Sequence, residues 1–111
     1  MARTELKILT KIEFLDVYSR NTIRQFPKYE KFLLSADIRN GITELKRYAI
    51  RAGKRYHKKT TLQDLDIEVE ILRSYIRESH AMKYIDDRRL GVWMEQVDEI
   101  GSIVGGWLKN Q

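Results

Sequence analysis

The chain has no cysteine, one proline and two histidines in 111 residues. Without cysteine there is no disulfide, no thiolate metal site and no cysteine nucleophile. Neither His57 nor His80 has a glutamate three residues before it, so the Glu-x-x-His pairs of di-iron bundles are absent. His57 also lies in a basic run, which disfavours a bound cation. No apolar run approaches the ~20 residues of a membrane span. The opening MARTELKILTK lacks an apolar stretch followed by a small-residue cleavage site, so no secretory signal is evident. These absences point to a cytoplasmic protein. The serines have no Gly-x-Ser-x-Gly context, and there is neither a P-loop nor a dinucleotide fingerprint. The acid pairs Asp86/Asp87 and Asp98/Glu99 sit where caps and surface residues belong. No enzyme, no cofactor and no metal site is expected.

What is present is charge on a helical frame. Hydrophobic residues make up 42% and charged residues 33%, which suits a single domain over residues 1–111 with a real core. Residues 1–59 carry 15 Lys/Arg against 6 Asp/Glu, and residues 60–111 carry 6 against 10. Such a split suggests an anionic partner for the first half, unless the basic half pairs with the acidic half inside the fold.

No stretch alternates as a strand would, and apolar spacing divides the chain into four helices. Thr10 and Glu13 have the spacing of a capping box, with Leu9 and Phe14 as its staple. This predicts a first helix from Thr10 to about Gln25, preceded by an extended arm over residues 1–9. Pro27 suits the first position of a second helix, running from about Lys28 to about Tyr56. Its stripe is Leu34, Ile38, Ile42, Leu45, Ala49 and Ala52. Thr60 or Thr61 is the expected cap of a third helix, with the stripe Leu62, Leu65, Val69, Leu72 and Ile76. That helix fades between Ser79 and Tyr84. Asp86 caps a fourth, in which Leu90, Trp93, Val97, Ile100, Val104 and Trp107 form one ladder. Four amphipathic helices with short links predict an all-α, up-down-up-down antiparallel four-helix bundle.

The fourth helix ends in EIGSIVGGWLKN, where Gly101, Gly105 and Gly106 each cost roughly 0.5–1 kcal/mol of helix propensity against alanine. Gly101 and Gly105 share a face, so close packing against a neighbouring backbone is expected there, with Trp107 as an aromatic anchor. Spacing alone leaves open whether that neighbour is the same chain or another.

The most informative run is KRYAIRAGKRYHKK, Lys46 to Lys59, with seven Lys/Arg and no acid. On a helical wheel zeroed on Leu45, Arg47, Arg51, Lys54 and Lys58 fall at about 200°, 240°, 180° and 220°, away from the core stripe. Arg55 flanks them and Lys59 lies in the following loop. A cationic ladder of this kind can meet phosphates and release their counterions. Tyr48 and Tyr56 lie near enough to stack on bases, although tyrosines at this spacing commonly pack on the core rim. The plainer reading is a solvated face, partly paired with the acidic first turns of the third helix.

Two segments, FPKYEKFLLSADIR at Phe26–Arg39 and DEIGSIVGGWLK at Asp98–Lys109, resemble the accessory variability determinant proteins of diversity-generating retroelements. These are relatives of the four-helix bundle proteins of ribosomal-RNA intervening sequences. The resemblance runs from about Leu6 to Lys109 and is most specific at Phe-Pro-Lys and Gly-Gly-Trp-Leu-Lys. It implies a basic, non-enzymatic bundle that assembles as a pentameric ring or barrel. It also implies binding of the retroelement's reverse transcriptase and of nucleic acid (RNA, DNA or an RNA–DNA hybrid), in support of mutagenic cDNA synthesis. Carried onto this chain, the partner-binding residues are Arg47, Arg51, Lys54, Arg55 and Lys58, with Lys59 beside them. Gly101, Gly105, Gly106 and Trp107 become candidates for contact between subunits. A stand-alone RNA-binding bundle of the intervening-sequence type, or a purely structural helical oligomer, are the alternatives.

Overall fold

Apolar side chains spaced three and four apart give each helix one edge to bury, and four such edges close on a common axis. The computed structural model describes residues 3–111. Its helices are α1 (Arg3–Ile23), α2 (Leu34–Lys54), α3 (Lys59–Ala81) and α4 (Asp87–Lys109). Each helix packs on its neighbours in chain order, and α1 closes the bundle against α4. The connections reverse the chain each time, giving an antiparallel four-helix bundle of 43 × 25 × 20 Å. No helix among the described residues is long and apolar enough to cross a membrane.

The stripes expected for α2 and α3 are buried at every position, and so are Trp93, Val97, Ile100 and Val104 of α4. Trp93 is the largest fully buried side chain. Its indole N–H donates to the buried Ser19 hydroxyl at 2.9 Å, tying α4 to α1. Phe26 stands edge-on to Trp93 and lies 5.1 Å from the Tyr84 ring. Tyr84 in turn donates to Glu30 at 2.6 Å. One end of the bundle is therefore an aromatic cluster that joins both loops there to the core.

Three boundaries differ from the sequence expectation. α1 already runs from Arg3, so the described part of the expected arm is helical; Met1 and Ala2 lie outside the described residues. The reason is Ile8, fully buried, which continues the Ile12–Leu15 edge past Thr10. Thr10 is an interior residue whose hydroxyl bonds back to the Leu6 carbonyl at 2.9 Å, and Phe14 is exposed instead of stapling the helix start.

The second helix does not run on from Pro27. A single 3₁₀ turn spans Lys28–Glu30, and α2 begins only at Leu34. The buried Glu30 carboxylate receives the Leu34 N–H at 3.3 Å, so a side chain does there what a backbone carbonyl would do in a continuous helix. In α3, neither Thr60 nor Thr61 is the cap. Lys58 holds that position with no side-chain cap bond, and Thr61 is buried under Arg55. Asp86 does cap α4, accepting the Arg89 N–H at 2.8 Å.

The glycines of α4 divide. A Cβ on Gly101 would come within 2.6 Å of the Arg73 guanidinium of α3. Arg73 lies there because it bridges Glu70 at 2.9 Å and Asp98 at 2.8 Å. Gly101 thus makes room for a side chain of the same chain, not for a backbone. Around Gly105 and Gly106 there is open space. Replacing Gly105 by alanine is expected to stabilise the isolated chain by about 0.5–1 kcal/mol in urea unfolding, the ordinary gain in helix propensity. Gly101→Ala should gain less, because Arg73 must give up its bridge. A Gly105→Ala variant that keeps this gain in the isolated chain but assembles less well would show that the glycine faces another subunit.

Candidate nucleic-acid and partner interface

α2 buries one narrow edge and turns the rest outward. Ala49 and Ala52 are fully buried, and a methyl on Gly53 would overlap the buried Glu5 carboxyl, so α1 lies close against this end of α2. The opposite face carries Arg47, Arg51 and Lys54, with Arg39 and Lys46 on one flank at about 100–120° from Leu45, all exposed. At 1.5 Å per residue, these residues span about 22 Å along the helix.

The ladder residues differ in how far they are already engaged. Arg47 has Glu44 at 3.8 Å, a loose contact between exposed groups that offsets little of its charge. The Arg51 guanidinium lies over the Tyr48 ring at 5.4 Å, which orients it without neutralising it. Lys54 and Lys59 make no ion pair among the described residues. Arg55 donates to the Thr61 hydroxyl at 3.2 Å and keeps its charge unpaired.

Lys58 departs from the wheel. α2 ends at Lys54 and the chain turns extended at Arg55, so Lys58 never joins the helical face. Its ammonium folds back onto the carbonyls of Ala52 at 2.7 Å, Gly53 at 3.3 Å and Arg55 at 2.5 Å. A cation over the last carbonyls of a helix satisfies groups that have no partner within it and complements the helix dipole. Lys58 is a C-terminal cap. Lys59, expected in a loop, is the first residue of α3.

Of the two tyrosines, Tyr48 is half-buried and packs against the core. Tyr56 is 90% exposed, with its ring edge-on to His57, and is open to a stacking partner. Arg39 and Lys46 extend the basic face beyond the residues singled out from the sequence. Lys46 lay inside the quoted run, and on the wheel both fall on a flank of the ladder, at about 100° and 120° from Leu45. Among the described residues no group of three or more His, Asp or Glu could hold a metal.

Acids come close along one flank only. Glu68 of α3 has its carboxyl pushed up, first by burial, then by Glu44 and Asp64. A carboxylate whose folded pKa lies above its unfolded value destabilises the fold once pH exceeds both, and the penalty vanishes below both. Glu68→Gln should therefore raise the melting temperature at pH 7, with the gain fading as pH falls toward about 4.5 and absent below it.

The chain matches one family model. The bAvd-like model covers residues 6–111, nearly the whole chain. No curated protein and no solved structure is significantly similar to the chain. The match spans all four helices, and with it the chain belongs to the bAvd-like family, accessory and non-catalytic proteins of diversity-generating retroelements.

Proposed function

We propose that this protein holds the retroelement's reverse transcriptase on its RNA through the outward face of α2. The observation that carries this reading is the row Arg47, Arg51, Lys54, Arg55 and Lys59. These are exposed cations of which only Arg47 has a carboxylate of its own chain within 4.0 Å. A ladder of this kind gains free energy by displacing counterions from phosphates, and it grips backbones more than base edges. Little sequence preference is expected from it. Tyr56 adds one stacking surface beside the row. Catalysis belongs to the reverse transcriptase, and the bundle supplies position and charge.

Assembly into a ring is part of the same proposal. Leu6, Phe14 and Val17 project from α1 at helical spacing and are exposed, Phe14 at 66%. Beside them, shallow hollows follow the α1–α4 groove, one formed by Thr10, Phe14, Gln96 and Glu99, another by Thr4, Lys7, Gly106 and Trp107. Exposed apolar side chains beside hollows along one groove suit contact with a second copy of the chain, and a head-to-tail arrangement of such contacts closes into rings. The bare backbone at Gly105 and Gly106 fits the same role.

Replacing Arg47, Arg51, Lys54 and Lys59 together by glutamate should leave helicity and assembly unchanged while abolishing capture of reverse transcriptase and RNA. For the wild type, four phosphate contacts on a single strand predict a log–log salt slope of about −3, or roughly fiftyfold weaker binding at 200 mM than at 50 mM salt. Binding that survives the charge reversal, or that ignores salt, would refute the ladder and favour a purely structural oligomer. Separately, Phe14→Glu with Val17→Glu should convert the assembly to a folded monomer, read by light scattering and circular dichroism.

A further inference from the structure

The strongest cationic concavity lies at the other end of α2 from the ladder. The last turns of α1, the Phe26–Leu33 segment and the start of α2 enclose a cleft of about 550 Å³. Arg20, Arg24, Lys28, Lys31 and Arg39 line it, and no carboxylate does. Its apolar wall is Ile23, Phe26 and Pro27. That volume is within the ordinary range for small-ligand sites, and a few polar groups converging on an apolar wall is their usual composition.

The cations are positioned rather than merely crowded. Arg39 donates to the Lys31 carbonyl at 3.1 Å and to the Ser35 carbonyl at 3.3 Å, which fixes its guanidinium between the loop and α2 while leaving its charge unpaired. Arg20 is held by Asp16 at 3.1 Å. Arg24 and Lys28 have no ion-pair partner among the described residues. The wall is rigid: Phe26 is buried against Tyr84 and Trp93, and Pro27 has its φ fixed by its ring. Arg24, Lys28, Lys31 and Arg39 gather around the hollow with no carboxylate partner among the described residues, which marks a place where an anion lowers the energy of the folded state. The apolar wall selects an anion that carries a flat or apolar body. A bare anion leaves the wall unused, and a neutral ring leaves the cations unpaired.

We propose that this cleft binds one nucleotide unit, its phosphate among Arg24, Lys28 and Arg39 and its base against Ile23 and Pro27. The unit comes either from a free nucleotide or from a strand. Arg39 of the cleft and Arg47, the first residue of the ladder, are about 12 Å apart along α2, but Arg24 and Lys28 belong to the cleft alone, so either site can fail alone.

The test is an amide-resolved NMR titration of the full chain with adenosine monophosphate, inorganic phosphate, adenosine and a four-nucleotide RNA. Adenosine monophosphate should give saturable shifts confined to residues 20–39. Inorganic phosphate should bind at least tenfold more weakly, and adenosine should give none. Arg24→Gln with Lys28→Gln should weaken adenosine monophosphate at least tenfold while leaving the melting temperature unchanged. The ladder charge-reversal variant should still bind it. If the RNA shifts the same amides in that variant, the source is a strand; if only the mononucleotide does, it is free nucleotide. No saturable shift, equal binding of phosphate, or equal binding of adenosine would each overturn the proposal.

Discussion

The close seating of α1 against the end of α2 governs much of what this molecule can do. Ala49, Ala52 and Gly53 have almost no side chain, so α1 and its buried Glu5 come up against the helix there. With the inner edge so narrow, the remaining circumference of α2 is committed to water. The residues found there are arginine and lysine, whose long stems can lie along the helix while the heads stay solvated. Over its last turns, the basic face is thus the outer side of a helix whose inner side carries only alanine and glycine.

Much of this was legible beforehand, because helical periodicity is a local property. The edges of α2 and α3 needed only the spacing of Leu, Ile, Val and Ala, and Asp86 announced the start of α4 by its own side chain. The failures all involve competition from a distance. Thr10 and Glu13 have the local form of a cap, but burying Ile8 favours carrying the helix through them. Pro27 can open a helix, yet Glu30 does more by turning inward to serve both Leu34 and Tyr84. Lys58 was placed on a helical face that the chain had already left. The apparent GxxxG pair was two unrelated positions, one relieving Arg73 and the other open. The basic cleft was invisible for a similar reason: Arg20, Arg24 and Arg39 are scattered in sequence and meet only when α1 and α2 are set side by side.

The charge asymmetry of the sequence survives in the folded molecule. The acids of the second half do not cancel the cations of the first. They bond largely within α3 and α4 or between them, as with Arg73, Glu70 and Asp98, or Arg77 with Glu70. Only Lys11 with Glu99 joins the basic half to the acidic half among the described ion pairs. The molecule is electrostatically two-sided.

Lys58 carries a consequence for the kinetics of recognition. An ammonium anchored on three carbonyls stitches the corner between the second and third helices to the end of the preceding rod. Under the proposed function, the neighbouring guanidinium and ammonium groups are mounted on a corner that does not have to fold when a polyanion arrives. Encounter can then proceed as rigid-body docking accelerated by long-range attraction, with little ordering of the backbone to slow it.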